Sequence, residues 1–201
     1  MSFTPMPQVL LRTHLTVAHY YWKLLVKPGD TVIDATCGNG HDTLYLAQLA
    51  LTENSGEVFG FDIQAEAIEK TRLHLQTNLS EPLCNRITLF HQSHRHFPKE
   101  ILPKSVKLIV YNLGYLPGGD KAITTLTESS LESIKHAQEL LCDDGMISVT
   151  CYPGHPEGKI EEEAIFKYAS SLNPRAWTCV QHHWVNRQQS PRLLIIGRTL
   201  T

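Results

Sequence analysis

Along the chain, short apolar runs alternate with longer stretches in which apolar residues recur at helical spacing. Thr31-Val32-Ile33-Asp34, Glu57–Asp62, Arg86–Phe90, Lys107–Asn112 and Met146–Tyr152 read as strands, and the first is too apolar for an exposed edge. Helices are expected from about Pro7 to Val26, His41 to Leu51, Gln64 to Leu79, Ile123 to Leu141 and about Lys159 to Ser171. Asp143-Asp144-Gly145 reads as a turn leading into the fifth strand. Two final strands, Trp177–Trp184 and Leu193–Arg198, predict an antiparallel pair closing the sheet. This alternation predicts an α/β fold: a mostly parallel sheet flanked by helices. With no repeat or linker, residues 1–201 are expected to form one domain.

The loop after the first strand carries the first chemical signal. Asp34 stands at the strand tip, four residues before Gly38-Asn39-Gly40, and His41-Asp42-Thr43 opens the helix. Glycines let the backbone approach a ligand closely, and the free N–H groups of a helix start can meet a carboxylate. The carboxylate of Asp34 is expected to meet an ammonium group. A dinucleotide site wants a third glycine where Thr43 stands, so the loop favours S-adenosylmethionine (SAM) over a pyrophosphate. Asp62 closes the second strand, where an acidic side chain can accept both ribose hydroxyls, and Ile63 can pack on an adenine face. Asp62 also suits a solvated loop residue or the N-cap of the next helix.

The fourth strand runs into Asn112-Leu113-Gly114-Tyr115-Leu116-Pro117-Gly118-Gly119-Asp120-Lys121. Asn112 to Tyr115 resembles the Asn-Pro-Pro-Tyr motif of amino-group methyltransferases. An amine attacking a sulfonium methyl needs its lone pair aimed in line with the departing sulfur. The Asn112 side-chain oxygen and the Leu113 carbonyl can accept the amine's hydrogens and set that direction. Tyr115 can hold the cationic transition state by a cation–π contact. Asp120 is a candidate proton acceptor, and the same segment also reads as a rigid turn capping the next helix.

After the third strand come His91, Ser93, His94 and His96. Nearby carboxylates or cysteines in a zinc-like arrangement are lacking, so no metal is expected. Ser93 and His94 are placed on the adenine side of the pocket. Tyr152 and His155 follow the fifth strand in a turn-rich loop and can stack on a base or relay a proton. Arg95, Lys99, Lys104 and the segment Asn186–Arg192 can approach an RNA backbone, or form a solvated face and a plain hairpin loop. Charge adds little: a formal net charge of −2 argues against a chain that coats nucleic acid, but leaves room for a local basic face. The five cysteines are scattered without CxxC pairs, which fits reduced thiols in the cytoplasm. The apolar residues near the start are interrupted by Arg12, His14, His19 and Lys23, unlike a signal peptide, and no run is long enough to span a membrane.

Together, Asp34-Ala35-Thr36 with Gly38-Asn39-Gly40 and Asp42-Thr43, Asn112 through Lys121, and Tyr152-Pro153-Gly154-His155 resemble the small bacterial methyltransferases labelled rRNA methylases. The resemblance runs from about Thr13 to Arg198. It implies a class I SAM-dependent methyltransferase fold, Rossmann-like, with seven strands in the order 3-2-1-4-5-7-6 and helices on both faces. It implies a substrate too: the aminomethyl group of 5-aminomethyl-2-thiouridine at the wobble position of tRNA, hence the tRNA anticodon region as partner. By matching position, Asp34, Thr36, Gly38, Asn39, Gly40, Asp42, Thr43 and Asp62 would hold SAM, with Ile63, Ser93, His94 and Asn112 beside it. Leu113, Tyr115, Tyr152 and His155 would face the nucleoside. Pro191, Arg187 and Arg95 depart from the family pattern, all on the expected RNA side. Three alternatives stay open: methylation of another rRNA nucleotide, a nicotinamide-dependent oxidoreductase, and a SAM-binding module without catalysis. So does the choice between monomer and homodimer.

Overall fold

The computed structural model describes residues 13–114, 126–187 and 189–199. Five strands follow one another in parallel: β1 (Thr31–Asp34), β2 (Glu57–Asp62), β3 (Ile87–His91), β4 (Val106–Leu113) and β5 (Leu141–Cys151). β7 (Arg192–Arg198) lies antiparallel to β5 and to β6 (Trp177–His182). The sheet has seven strands in the order β3-β2-β1-β4-β5-β7-β6, as the family resemblance implies.

Successive strand residues face opposite sides, and both sides are covered. On one, Val32, Val58, Leu108 and Val110 pack with Trp22 of α1 (His14–Leu25) and Leu46 of α2 (His41–Ala50). On the other, Ile33, Phe61, Ile109 and Tyr111 pack with Ile134 of α5 (Thr127–Leu140) and Ile165 of α6 (Pro156–Ser171). α3 (Ala65–Asn78) lies beside α2 and buries Ala67, Ile68 and Leu75. No helix among the described residues is long and apolar enough to cross a membrane.

Four local features differ from the sequence reading. A single turn, α4 (Glu81–Cys84), precedes β3; it is too short to show a helical period. The expected turn at Asp143–Gly145 lies inside β5: Val106 pairs with Leu141 and Leu108 with Met146, so Cys142–Gly145 bulges out without ending the pairing. β6 stops at His182, two residues before the expected end. α6 starts at Pro156 because the His155 ring caps it, accepting the Gly158 N–H at 3.1 Å. The expected helix start at Ile123 and the portion before Thr13 lie outside the described residues.

Strand order reverses between β1 and β4. In open α/β sheets, ligands collect beyond the carboxyl ends of the strands at such a point. Asp34 and Asn112 stand at those two ends.

Candidate active site

From β1 the chain turns through Gly38 and Gly40, whose φ values are +56° and +79°. A Cβ at Gly40 would lie 2.9 Å from the Thr71 Cα, so glycine both permits the turn and lets α2 begin against α3. The Cys37 N–H donates to the Phe61 carbonyl at 2.9 Å, and the Gly38 N–H to Asp62 Oδ2 at 2.9 Å. The loop therefore rests on the end of β2. Gly60 makes room for it: a Cβ there would meet Cys37 Sγ at 2.7 Å and Leu89 Cδ2 at 2.6 Å. The sequence reading passed over Gly60, because a close approach between separate elements leaves no local pattern.

Asp34 is enclosed at the tip of β1. Its side chain is fully buried. Oδ1 accepts the Thr36 N–H at 3.1 Å, and Oδ2 accepts the Thr43 hydroxyl at 2.6 Å. Enclosed in this way, its carboxylate braces the loop from within. Thr36 and Thr43 brace as well: Thr36 Oγ1 accepts the Asn112 N–H at 2.8 Å, tying the loop to β4.

Burial, then the charge of Asp42, push the Asp34 carboxyl up to about 7, against the pull of its two hydrogen bonds. The folded chain thus holds this proton more tightly than the unfolded one. The proton's contribution is complete below the ordinary carboxylate value of about 4 and is lost as pH rises through the folded value. We expect the melting-temperature difference between the wild type and Asp34→Asn, both ligand-free, to shift in favour of the variant from pH 4 to pH 7, at up to about 1.4 kcal/mol per pH unit. A pH-independent difference would show that Asp34 does not titrate there.

Around Asp34 a network reaches the sheet edge. Asn112 Nδ2 donates to Asp42 Oδ2 at 2.8 Å, and His19 Nε2 donates to Asp42 Oδ1 at 2.7 Å. An ionised carboxylate only accepts, so Asp42 fixes which end of the Asn112 amide faces it. The other end, Oδ1, is buried and has no hydrogen-bond partner among the described residues. His19 is stacked on Tyr45, with ring centroids 4.3 Å apart, and leans on Trp22. Five residues before it, His14 Nε2 meets the Tyr152 hydroxyl at 3.0 Å. Burial lowers the His14 pKa, partly offset by Asp42; burial likewise raises that of Tyr152. The sequence reading missed both histidines. The available signal was polarity on a packed face, since His19 lies on the same side of α1 as Leu15 and Trp22.

The residues expected on the adenine side lie as follows. Asp62 is half-buried at the tip of β2 and holds the Gly38 and Gln64 N–H groups, with lone pairs to spare. Ile63 beside it is 61% exposed, an apolar surface at the edge. His94 is buried edge-on against Tyr111, its ring held neutral by burial with a pKa of about 4. Ser93 caps its own turn by accepting the Arg95 N–H at 3.2 Å. Leu113 is buried at the end of β4. His155 caps α6 through its ring. Arg95 is committed to Glu132 and Glu128, at 2.6 and 3.3 Å, and so loses the expected role as a free cation for RNA. Asn39 is half-buried in the loop. Tyr115 and Asp120, with residues 115–125 as a whole, lie outside the described residues.

A family model described as "Putative rRNA methylase" matches residues 58–198. The chain belongs to this family. An Arabidopsis thaliana relative, the chloroplastic tRNA (mnm(5)s(2)U34)-methyltransferase, is 38% identical over 90% of this chain and 67% of its own. Among solved structures, a Clostridium thermocellum protein with the rRNA-methylase description superposes with a TM-score of 0.87 at 36% identity, covering 94% of this methylase and 99% of that chain. A Streptococcus mutans methyltransferase, solved in complex with SAH, superposes with a TM-score of 0.79 at 26% identity over 92% and 97% of the two chains. The fold of this methylase is therefore that of the class I SAM-dependent methyltransferases.

Proposed function

We propose that this chain, acting as one catalytic domain, transfers a methyl group from SAM to the amine of 5-aminomethyl-2-thiouridine at the tRNA wobble position. The observation that carries the reading is the Asn112 side chain, whose Nδ2 is held by Asp42 while its buried Oδ1 has no partner among the described residues. A buried acceptor without a donor costs about 1–3 kcal/mol, and a substrate N–H would remove that cost. The substrate follows the activity of the Arabidopsis relative.

The residues suit SAM. Asp42 and Asp62 lie close enough to Asp34 for their charges to raise its proton affinity. Such a field attracts a sulfonium and an ammonium and repels a pyrophosphate, which disfavours a nicotinamide dinucleotide. Asp62 would accept the ribose hydroxyls, Ile63 would lie on the adenine, and the Gly38–Gly40 backbone would take the methionine end.

Bound SAM supplies an electrophilic methyl on a sulfonium. The chain's own groups prepare the nitrogen. An alkylamine titrates near 10.4, so it arrives as the ammonium, and a desolvated site lowers that value. Asn112 Oδ1 accepts one of its hydrogens and turns the lone pair toward the methyl. The Tyr152 hydroxyl passes its proton to neutral His14 Nε2 and takes one from the ammonium. His14 suits that task, because burial keeps it unprotonated near neutral pH. For the RNA, the loop between β6 and β7 lies at the same edge and offers the Trp184 ring, with the Arg187 guanidinium 5.9 Å from its centroid. The scattered free cysteines fit a reducing compartment such as the cytoplasm.

The test is purified protein with SAM and tRNA bearing 5-aminomethyl-2-thiouridine, read by nucleoside mass spectrometry. We expect the methylaminomethyl nucleoside to form, and SAM but not NAD to raise the melting temperature. Methylation of rRNA with none in tRNA would replace the proposed substrate with the one in the family's description. Stabilisation by NAD alone would overturn the methyltransferase reading.

A further inference from the structure

We infer that the loop after β3 and helix α5 together form a binding site for a divalent transition-metal ion of the zinc class, built from His96, Glu132 and His136. The histidines of the His91–His96 stretch do not converge on one another. His91 Nε2 turns to the Ile63 carbonyl at 3.1 Å, and His94 is buried against Tyr111. His96 instead faces α5, where Glu132 and His136 stand one turn apart on the same side. One ligand atom from each of the three residues lies within 4.8 Å of the others.

The details fit a metal better than a simple ion-pair cluster. His96 Nε2 and Glu132 Oε1 are 3.6 Å apart. Two ligands on a tetrahedral zinc, with bonds near 2.0–2.2 Å, sit about 3.3–3.5 Å apart, so this pair is close to the required spacing. His136 Nδ1 is 3.2 Å from the Arg95 carbonyl. A carbonyl only accepts, so Nδ1 is the donor there, and in the neutral ring the lone pair is on Nε2. That arrangement is how a backbone carbonyl sets the tautomer of a metal-ligating histidine. Arg95 Nε holds Glu132 Oε2 at 2.6 Å, which orients the carboxylate and leaves Oε1 turned to His96. Two imidazoles and one carboxylate select zinc, cobalt or nickel over magnesium and calcium, and a fourth position remains for water. The Arg95 charge neighbours the site and limits its affinity. Bound there, the ion would pin the loop that carries Ser93 and His94 to α5, alongside the bond from the Ser133 hydroxyl to the His94 carbonyl at 2.7 Å.

The experiment uses full-length protein without a polyhistidine tag, stripped with EDTA and titrated with ZnCl2 by calorimetry. CoCl2 serves as a spectroscopic probe. We expect one saturable equivalent, visible-region bands of low-symmetry Co2+, and a melting-temperature rise of roughly 5 °C or more at hundredfold excess over the dissociation constant. His136→Ala and His96→Ala should each weaken binding at least tenfold. In EDTA, His96→Ala should melt with the wild type, because its side chain is exposed, whereas His136→Ala loses its bond to the Arg95 carbonyl, so each variant's zinc response is read against its own EDTA baseline. His74→Ala, which removes the partner of His41 in another ring pair, should bind as the wild type does. Unchanged zinc uptake in both variants, no saturable uptake, or an equal response to MgCl2 would each overturn the site. None of these readouts depends on methyl transfer.

Discussion

In Asn112→Ala, methyl transfer is expected to fall about a thousandfold, with SAM affinity changed no more than a few-fold. The variant removes the buried side-chain acceptor that aims the amine. It does so without touching the tie between β4 and the loop, because the bond to Thr36 Oγ1 comes from the Asn112 backbone. The fold and the cofactor pocket should therefore survive, and retained SAM binding by calorimetry is the control for both. Single-turnover rates on tRNA bearing the aminomethyl nucleoside separate chemistry from product release. A rate within tenfold of the wild type would mean that the buried Oδ1 does not direct the nucleophile.

The parts of this site legible in the sequence are those with local signatures. β1 and β4 are apolar on both faces, so they read as interior strands, and their ends locate Asp34 and Asn112. The glycine loop is legible because Gly38 and Gly40 must adopt positive φ. Depth is not legible in this way. Spacing places Asp34 at a strand tip but does not say that Thr36 and Thr43 enclose it. Relations between distant elements are equally hidden: Gly60 matters because Cys37 passes over it, and His14 and His19 matter because α1, packed on β4, β5 and β7, brings them to Tyr152 and Asp42. Glu132 and His136 showed no link to the histidines after β3 until α5 was packed against that loop.

Asp42→Asn should lower the methyl-transfer rate about a hundredfold, and it should do so by acting through Asn112. Asp42 accepts from two donors, His19 Nε2 on one oxygen and Asn112 Nδ2 on the other. An asparagine there has a single acceptor. If its NH2 group faces Asn112, the Asn112 amide must rotate by half a turn and present a donor to the substrate amine, which opposes the required hydrogen bond. If its NH2 group faces His19, that imidazole must move its proton to Nδ1, and both bonds lose the charge assistance that made them strong. Either way the aim of Oδ1 loosens. A double-mutant cycle distinguishes this from a direct effect on the cofactor. In an Asn112→Ala background, Asp42→Asn should cost little more, because the group it positions is already gone. An equal loss in both backgrounds, or a loss confined to SAM affinity, would make Asp42 a cofactor ligand in its own right and remove it from the chain that orients the amine.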